Sequence, residues 1–307
     1  MQKRQITAKQ TIVISFLVDF LDAALSLIAA IFSGSVIMLS QVLEAVADLV
    51  SSGFLLIGIN KSKQVADRKH PFGYGRELYF WTLMAALVML GITSTFSIYF
   101  GWQRILKPEV IKNLSLAYLV LIITLVTNAY ALFLSLKRLL ARHHPLQIVR
   151  IFFRSSLVET KTTLILDLMG TAASILGVIS LIVYQLTGDS KVDGAGAILI
   201  GILLGLFALI LVRGAKDLLV GMTASPETET KIRQSALSLP RVREVLDLRT
   251  MHIGSEKLLV NMEVHLDKKL TTREIEELID QIKDKIRTEV PTVRHIQVEL
   301  EAPDPKG

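Results

Sequence analysis

The chain contains no cysteine in 307 residues. That excludes disulfides, thiolate metal sites and redox-active thiols together. Charge is scarce over most of the length: long apolar runs fill the first 220 residues, and most of the acidic side chains come later. With 51% hydrophobic residues and a mean hydropathy of +0.50, the composition is too apolar for a soluble globule. It fits a membrane domain followed by a soluble one. The apolar spans hold no nucleophile–base pair and no zinc-protease spacing, which argues against an enzyme. After the first apolar run no small-residue cleavage pattern follows, so that run reads as a span rather than a removed signal peptide.

Six stretches can each cross a bilayer, for which about 20 apolar residues suffice. They are Thr11–Phe32, Val36–Ile59, Leu78–Phe100, Leu114–Leu136, Leu157–Tyr184 and Gly194–Val212. Lys61, Lys63, Arg68, Lys69 and Arg76 fill the second connection; Lys137, Arg138, Arg142, Arg150 and Arg154 fill the fourth. The turn Ser33-Gly34-Ser35 carries no charge, and Lys191 stands alone between the fifth and sixth spans. Basic loops stay on the cytoplasmic side, so both termini are expected there, in the plasma (inner) membrane of a bacterium. The net charge of +6 is thereby explained as a topology signal, and nucleic acid is not an expected partner; the lipid bilayer is.

The expected fold is an all-α six-helix transmembrane domain over residues 1–221 and a small α+β domain over 222–307. In the second, Ile232, Ala236 and Leu237 mark a short helix, and Val242–Ile253 reads as a strand. Leu258, Val260, Met262, Val264 and Leu266 alternate with polar residues as a half-buried strand should. Thr271 and Glu274 form a capping box, opening a helix with Ile275, Leu278, Ile279, Ile282 and Ile286 on one stripe. Ile296, Val298 and Leu300 close the domain as a further strand. The order is α-β-β-α-β, one sheet with two helices.

The chemistry sits in the membrane. Glu44 and Asp48 are one helical turn apart and share a face near the centre of the second span. Each ionisable side chain there costs roughly 2.5–3.5 kcal/mol on insertion scales, so the pair reads as an ion site. Asp167 in the fifth span, with Thr163 one turn before it, can converge on them. Three carboxylates without a cation repel one another and hold protons. A divalent cation resolves the repulsion and its departure lets protons return, so exchange of metal for protons follows. An all-oxygen site suits manganese or ferrous iron, whereas tetrahedral zinc usually recruits imidazole. Asp19 and Asp22 in the first span serve either polar contacts to neighbouring helices or a proton path. Glu159 and Lys161 read as interface residues, and His143 and His144 as solvated. In the loop Asp67-Arg68-Lys69-His70-Pro71-Phe72-Gly73-Tyr74-Gly75-Arg76, Asp67 and His70 suit either a loop metal ion or a headgroup anchor. Glu263 and His265 share a strand face, a spacing that permits tail metal binding.

Several stretches together resemble the cation diffusion facilitator family: Gly34-Ser35 leading into Leu43-Glu44-Ala45-Val46-Ala47-Asp48, the His70-Pro71-Phe72-Gly73-Tyr74-Gly75-Arg76-Glu77 loop, Asp167, and Asp247-Leu248-Arg249-Thr250. The similarity runs from about residue 10 to residue 303. It implies a homodimeric six-span exporter that exchanges a divalent metal, zinc by default, for protons, with a metallochaperone-like cytoplasmic tail. No resident cofactor is implied. By motif, Glu44, Asp48, Thr163 and Asp167 fall on the transport-site positions, with Thr163 where the family has His or Asp. Asp67 and His70 fit two positions of the loop site, Tyr74 replaces a histidine there, and Leu246 replaces one in the tail. Glu159 is an alternative partner in the fifth span.

Overall fold

A computed structural model describes residues 8–140 and 158–302, with side chains at 19–137 and 162–302. Two compact units make it up.

The first unit is a helical bundle. Its long helices are α1 (Ala8–Ser33), α2 (Val36–Ser62), α5 (Leu114–Leu140), α6 (Val158–Thr187) and α7 (Lys191–Val220). The third span is composite: α3 (Glu77–Val88), a π-helical turn at Met89–Ser94, then α4 (Thr95–Leu106). Thr93, inside that turn, donates its hydroxyl to the Leu43 carbonyl at 3.3 Å. Among the described residues, five stretches are long and apolar enough to cross a membrane: Val36–Ser62, Glu77–Leu106, Leu114–Lys137, Thr162–Thr187 and Lys191–Val220. The sixth expected span, Thr11–Phe32, lies within α1. The third and sixth helices outrun their expected ends at Phe100 and Val212 because hydropathy marks only the hydrocarbon-facing part, whereas backbone hydrogen bonding decides where a helix stops. Ile37, Met38, Leu121, Met169, Leu181, Ile200 and Leu204 fill the interior, while Phe20, Ile31, Leu119, Phe133, Ile179 and Leu206 face outward. Such an apolar outer surface suits lipid rather than water. The α4 and α7 backbones touch: a Cβ on Gly101 would stand 2.6 Å from the Gly194 carbonyl oxygen, and one on Gly194 would stand 2.5 Å from that of Gly101. Only glycines permit so close a crossing.

The second unit holds the loop 61–78 and the chain from residue 217. Its elements are α8 (Pro226–Leu237), β1 (Val242–Gly254), β2 (Lys257–Leu266), α9 (Thr272–Glu289) and β3 (Val293–Leu300), the expected α-β-β-α-β order. Ser225 caps α8, and the Thr271–Glu274 capping box opens α9. The sheet order is β1-β2-β3. β1 pairs antiparallel with β2, placing Val245 opposite Val264; β3 pairs parallel with β2, placing Val298 opposite Met262. Ile232, Ala236, Val260, Met262, Val264, Ile282 and Ile286 form the core between helices and sheet. Leu237 and Leu300, expected on inner faces, are 42% and 47% exposed. Each is the last residue of its element, beyond the reach of the packed neighbours. Gly75 brings the loop against β1, since a Cβ there would lie 2.3 Å from the Ile253 carbonyl oxygen.

Candidate metal centre in the helical bundle

The polar residues of α2 recur at helical spacing: Gln41, Glu44, Asp48, Ser51 and Ser52. This puts one polar stripe along an otherwise apolar helix. Gln41, Glu44 and Ser51 are buried. The Gln41 amide donates to Glu44 Oε2 at 3.3 Å, and the Ser174 hydroxyl on α6 donates to Gln41 Oε1 at 3.3 Å. Glu44 Oε1 and Asp48 Oδ1 are buried without a hydrogen-bond partner. Other helices answer the stripe. On α1, Asp19 accepts from Ser52 at 3.1 Å, and Asp22 accepts from Thr127 of α5 at 3.2 Å. On α6, Asp167 accepts from Ser135 of α5, and Thr163 is half-buried one turn away.

The structure thus brings the expected acids into one interior. The carboxyls of Glu44, Asp19, Asp167 and Asp22 all act electrostatically on that of Asp48. Among the described residues, no ion pair neutralises Asp19, Asp22, Glu44 or Asp48. Also among them, no three His, Cys, Asp or Glu side chains stand close enough to hold an ion as they are. The acids form a file rather than a closed cage: Gln41 and Ser52, which bind its two ends, are separated by about 16 Å of helical rise. An all-oxygen file of this kind can pass a hard divalent cation between carboxylates: hydroxyl donors hold Asp19, Asp22 and Asp167, while Glu44 and Asp48 keep an oxygen unpartnered.

The loop candidates meet, but on each other. Asp67 Oδ1 accepts from the His70 amide at 2.6 Å, and Oδ2 accepts from the Tyr74 hydroxyl at 2.7 Å. Those bonds, Tyr74's first, hold the Asp67 carboxyl below its usual range, and the bond to Asp67 pushes the Tyr74 phenol up. His70 Nδ1 is 3.5 Å from Asp67 Oδ1. Phe72 sets its edge on His295 with ring centroids 5.3 Å apart, and Arg76 reaches Met251 Sδ at 2.8 Å, so the motif straps onto the sheet of its own unit. In the tail, Glu263 lies in register between Asp247 and Glu299. His265 stands opposite Glu244, its Nδ1 3.2 Å from the Glu301 carbonyl oxygen. His143 and His144, and the side chains of Glu159 and Lys161, lie outside the described residues.

Gln41, Ser52, Thr127, Ser135 and Ser174 were not legible from sequence. Lone hydroxyls and amides are ordinary in membrane helices; only the i, i+3, i+7 phase of Gln41 with Glu44 and Asp48 could have singled one out.

A family model for the cation efflux transmembrane domain matches residues 12–220. A second, for the cytoplasmic domain of cation efflux proteins, matches residues 224–303. The chain is therefore a helical transmembrane domain followed by a small α+β domain. It belongs to the cation efflux, or cation diffusion facilitator, family. Among curated relatives, the human "Proton-coupled zinc antiporter SLC30A9, mitochondrial" is 25% identical over 292 residues, covering 94% of this chain and 51% of that protein. The chain thus spans about half the length of the SLC30A9 relatives it matches. The "Cation-efflux pump FieF" of Shewanella oneidensis is 27% identical over 257 residues, covering 83% of this chain and 81% of that one. The "Magnetosome protein MamB" of Magnetospirillum gryphiswaldense is 24% identical over 271 residues, covering 88% and 86%.

Proposed function

We propose that this chain exports a divalent metal cation from the cytoplasm in exchange for protons, with Glu44, Asp48 and Asp167 as ligands and Thr163 or a water completing the set. One observation carries the reading: Glu44 and Asp48 present buried, unpartnered oxygens to further acids, and among the described residues no ion pair neutralises Glu44, Asp48, Asp19 or Asp22. A group of like charges in a bilayer interior needs an opposite charge that comes and goes. Protons replace it when it leaves, which couples the two fluxes. Asp19 and Asp22, hydrogen-bonded beside this file, serve as the proton path. Zinc is the default cargo, in line with the name of the SLC30A9 relatives, and the all-oxygen donors also suit manganese and ferrous iron.

The working unit is read as a homodimer with six spans and both termini in the cytoplasm, the match to a cytoplasmic-domain model supporting that side for the tail. The membrane is read as a bacterial plasma membrane, in line with the Shewanella relative, while the SLC30A9 relatives are named mitochondrial. A second reading, a metal-binding regulatory membrane dimer without transport, draws on Thr163 standing where the family has His or Asp.

The test is uptake of zinc, manganese, iron and cobalt into proteoliposomes under a pH gradient, comparing wild type with Asp48→Ala. Metal-dependent flux abolished by the substitution is expected. Absence of flux for every metal, or flux untouched by it, favours the regulatory reading. Light scattering in detergent checks the dimer.

A further inference from the structure

α2 does not begin freely. α1 ends at Ser33, Gly34 takes a left-handed φ of +65°, and the chain turns at once into α2. The first amides of a helix lack partners within it and need an acceptor. Here it comes from far along the chain. Asp193, on the first turn of α7 and 0% exposed, accepts from the Val36 amide at 2.8 Å and the Ile37 amide at 3.2 Å. It also accepts from the Ser35 hydroxyl at 2.5 Å. Arg104 at the end of α4, itself 7% exposed, completes the cluster. Its Nε lies 3.3 Å from Asp193 Oδ2, Nη2 donates to the Gly34 carbonyl, and Nη1 donates to the Glu109 carbonyl at 3.1 Å.

One carboxylate and one guanidinium therefore join the start of α2 to the end of α4 and the start of α7. One turn before Arg104 and one residue after Asp193, the Gly101–Gly194 contact presses α4 and α7 together, so the anchor itself is rigid. Glu44 and Asp48 lie two and three turns down the helix whose first turn is held in this way.

We propose that Asp193 and Arg104 are positioning residues: through the capped first turn of α2 they fix the height and rotation at which Glu44 and Asp48 meet the acids of α1 and α6, and so set the affinity for the cation. The inference rests on Glu44 and Asp48 being cation ligands. Each residue by which a helix turns at its root swings its side chains by about 100° and moves them about 1.5 Å along the axis. A loosened root therefore spreads the ligands over poses, few of which bind. Neither Asp193 nor Arg104 touches the cation in this account.

The test uses the full chain in proteoliposomes, with zinc as the probe, and compares wild type with Asp193→Asn, Arg104→Lys and Ser35→Ala. Zinc-dependence of uptake and zinc binding by calorimetry in detergent are both read. Expected is a roughly tenfold rise in half-saturating zinc for Asp193→Asn, a smaller rise for Ser35→Ala, and a saturating rate per folded protein close to wild type. A residue that merely supports the fold would lower the amount of reconstituted protein and leave half-saturation unchanged; that outcome overturns the proposal. Should Asp193→Asn fail to fold, Ser35→Ala and Arg104→Lys, which keep the carboxylate, decide in the same way. A wild type that binds zinc without transporting it defeats the exporter reading alone, and the clamp is then judged on binding. A wild type that does neither removes both.

Discussion

Replacing Asp48 by Asn should make the protein more stable without metal and almost indifferent to it. Asn keeps the shape and one carbonyl oxygen but removes a charge acted on by four other carboxyls. An unneutralised charge at this depth costs roughly 2.5–3.5 kcal/mol on insertion scales; proton uptake already relieves part of it, so a gain of about 1 kcal/mol is expected, or about 2–4 °C for a chain of this size. Wild type, in turn, should gain about 2.7 kcal/mol at zinc one hundred times its dissociation constant, on the order of 5–10 °C. The assay is thermal unfolding of the purified chain in detergent, first with a chelator and then with excess zinc. Asp48→Asn should start higher than wild type and lose most of the zinc shift. A variant that starts lower, or that keeps the whole shift, would show that Asp48 is a structural acid satisfied by its surroundings.

Four further outcomes follow from other parts of the molecule. Ser135→Ala removes the hydroxyl donated to Asp167; half-saturating zinc should rise roughly tenfold, for the loss of about 1.5 kcal/mol in a bond to a charged group, as read by proteoliposome uptake. Gly194→Ala puts a Cβ 2.5 Å from the Gly101 carbonyl oxygen, and should cost about 1–3 kcal/mol, seen as a lower melting temperature in detergent. Ile282→Ala empties a site that is 0% exposed and should cost the tail about 2–5 kcal/mol, seen as faster amide exchange in α9 and β2. Tyr74→Phe concerns pH. Because the folded Asp67 carboxyl titrates below its ordinary range, chiefly through the Tyr74 hydroxyl, the loop's stabilisation is complete above that range and lost as pH falls through the lowered value. Without the phenol, the Asp67 carboxyl-carbon NMR titration should move up; an unmoved midpoint would refute the assignment.

Much of this was written in hydropathy. Apolar runs long enough for a bilayer located the spans, and the acids within them were legible because a charge in oil is costly enough to require a reason. Alternation and a capping box sufficed for the tail, whose strands and long helix start close to where the pattern placed them. Leu237 and Leu300 escaped, since periodicity assigns a face but does not know where packing ends. Asp193 and Arg104 escaped for a different cause. Each sits at the edge of an apolar run, where a charge looks like a boundary marker, and 89 positions separate them (193 − 104). Only the crossing of α4 on α7 shows that they belong to one cluster. The same holds for Ser135 and Asp167, which share no helix.

The π-helical turn at Met89–Ser94 works as a spacer. It accommodates an extra amino acid that a regular helix has no room for, and everything after it in the third span is phased accordingly. Excising a single amino acid there would restore ordinary hydrogen bonding and leave Ser97 and Gly101 close to their present phase, whereas excising one from the regular turns of α4 would swing Arg104 by about 100° and draw it back by about 1.5 Å, away from Asp193. Loss of one amino acid should thus be tolerated in this turn and penalised in the regular turns of α4 that follow it, where one missing codon would do more harm than most replacements.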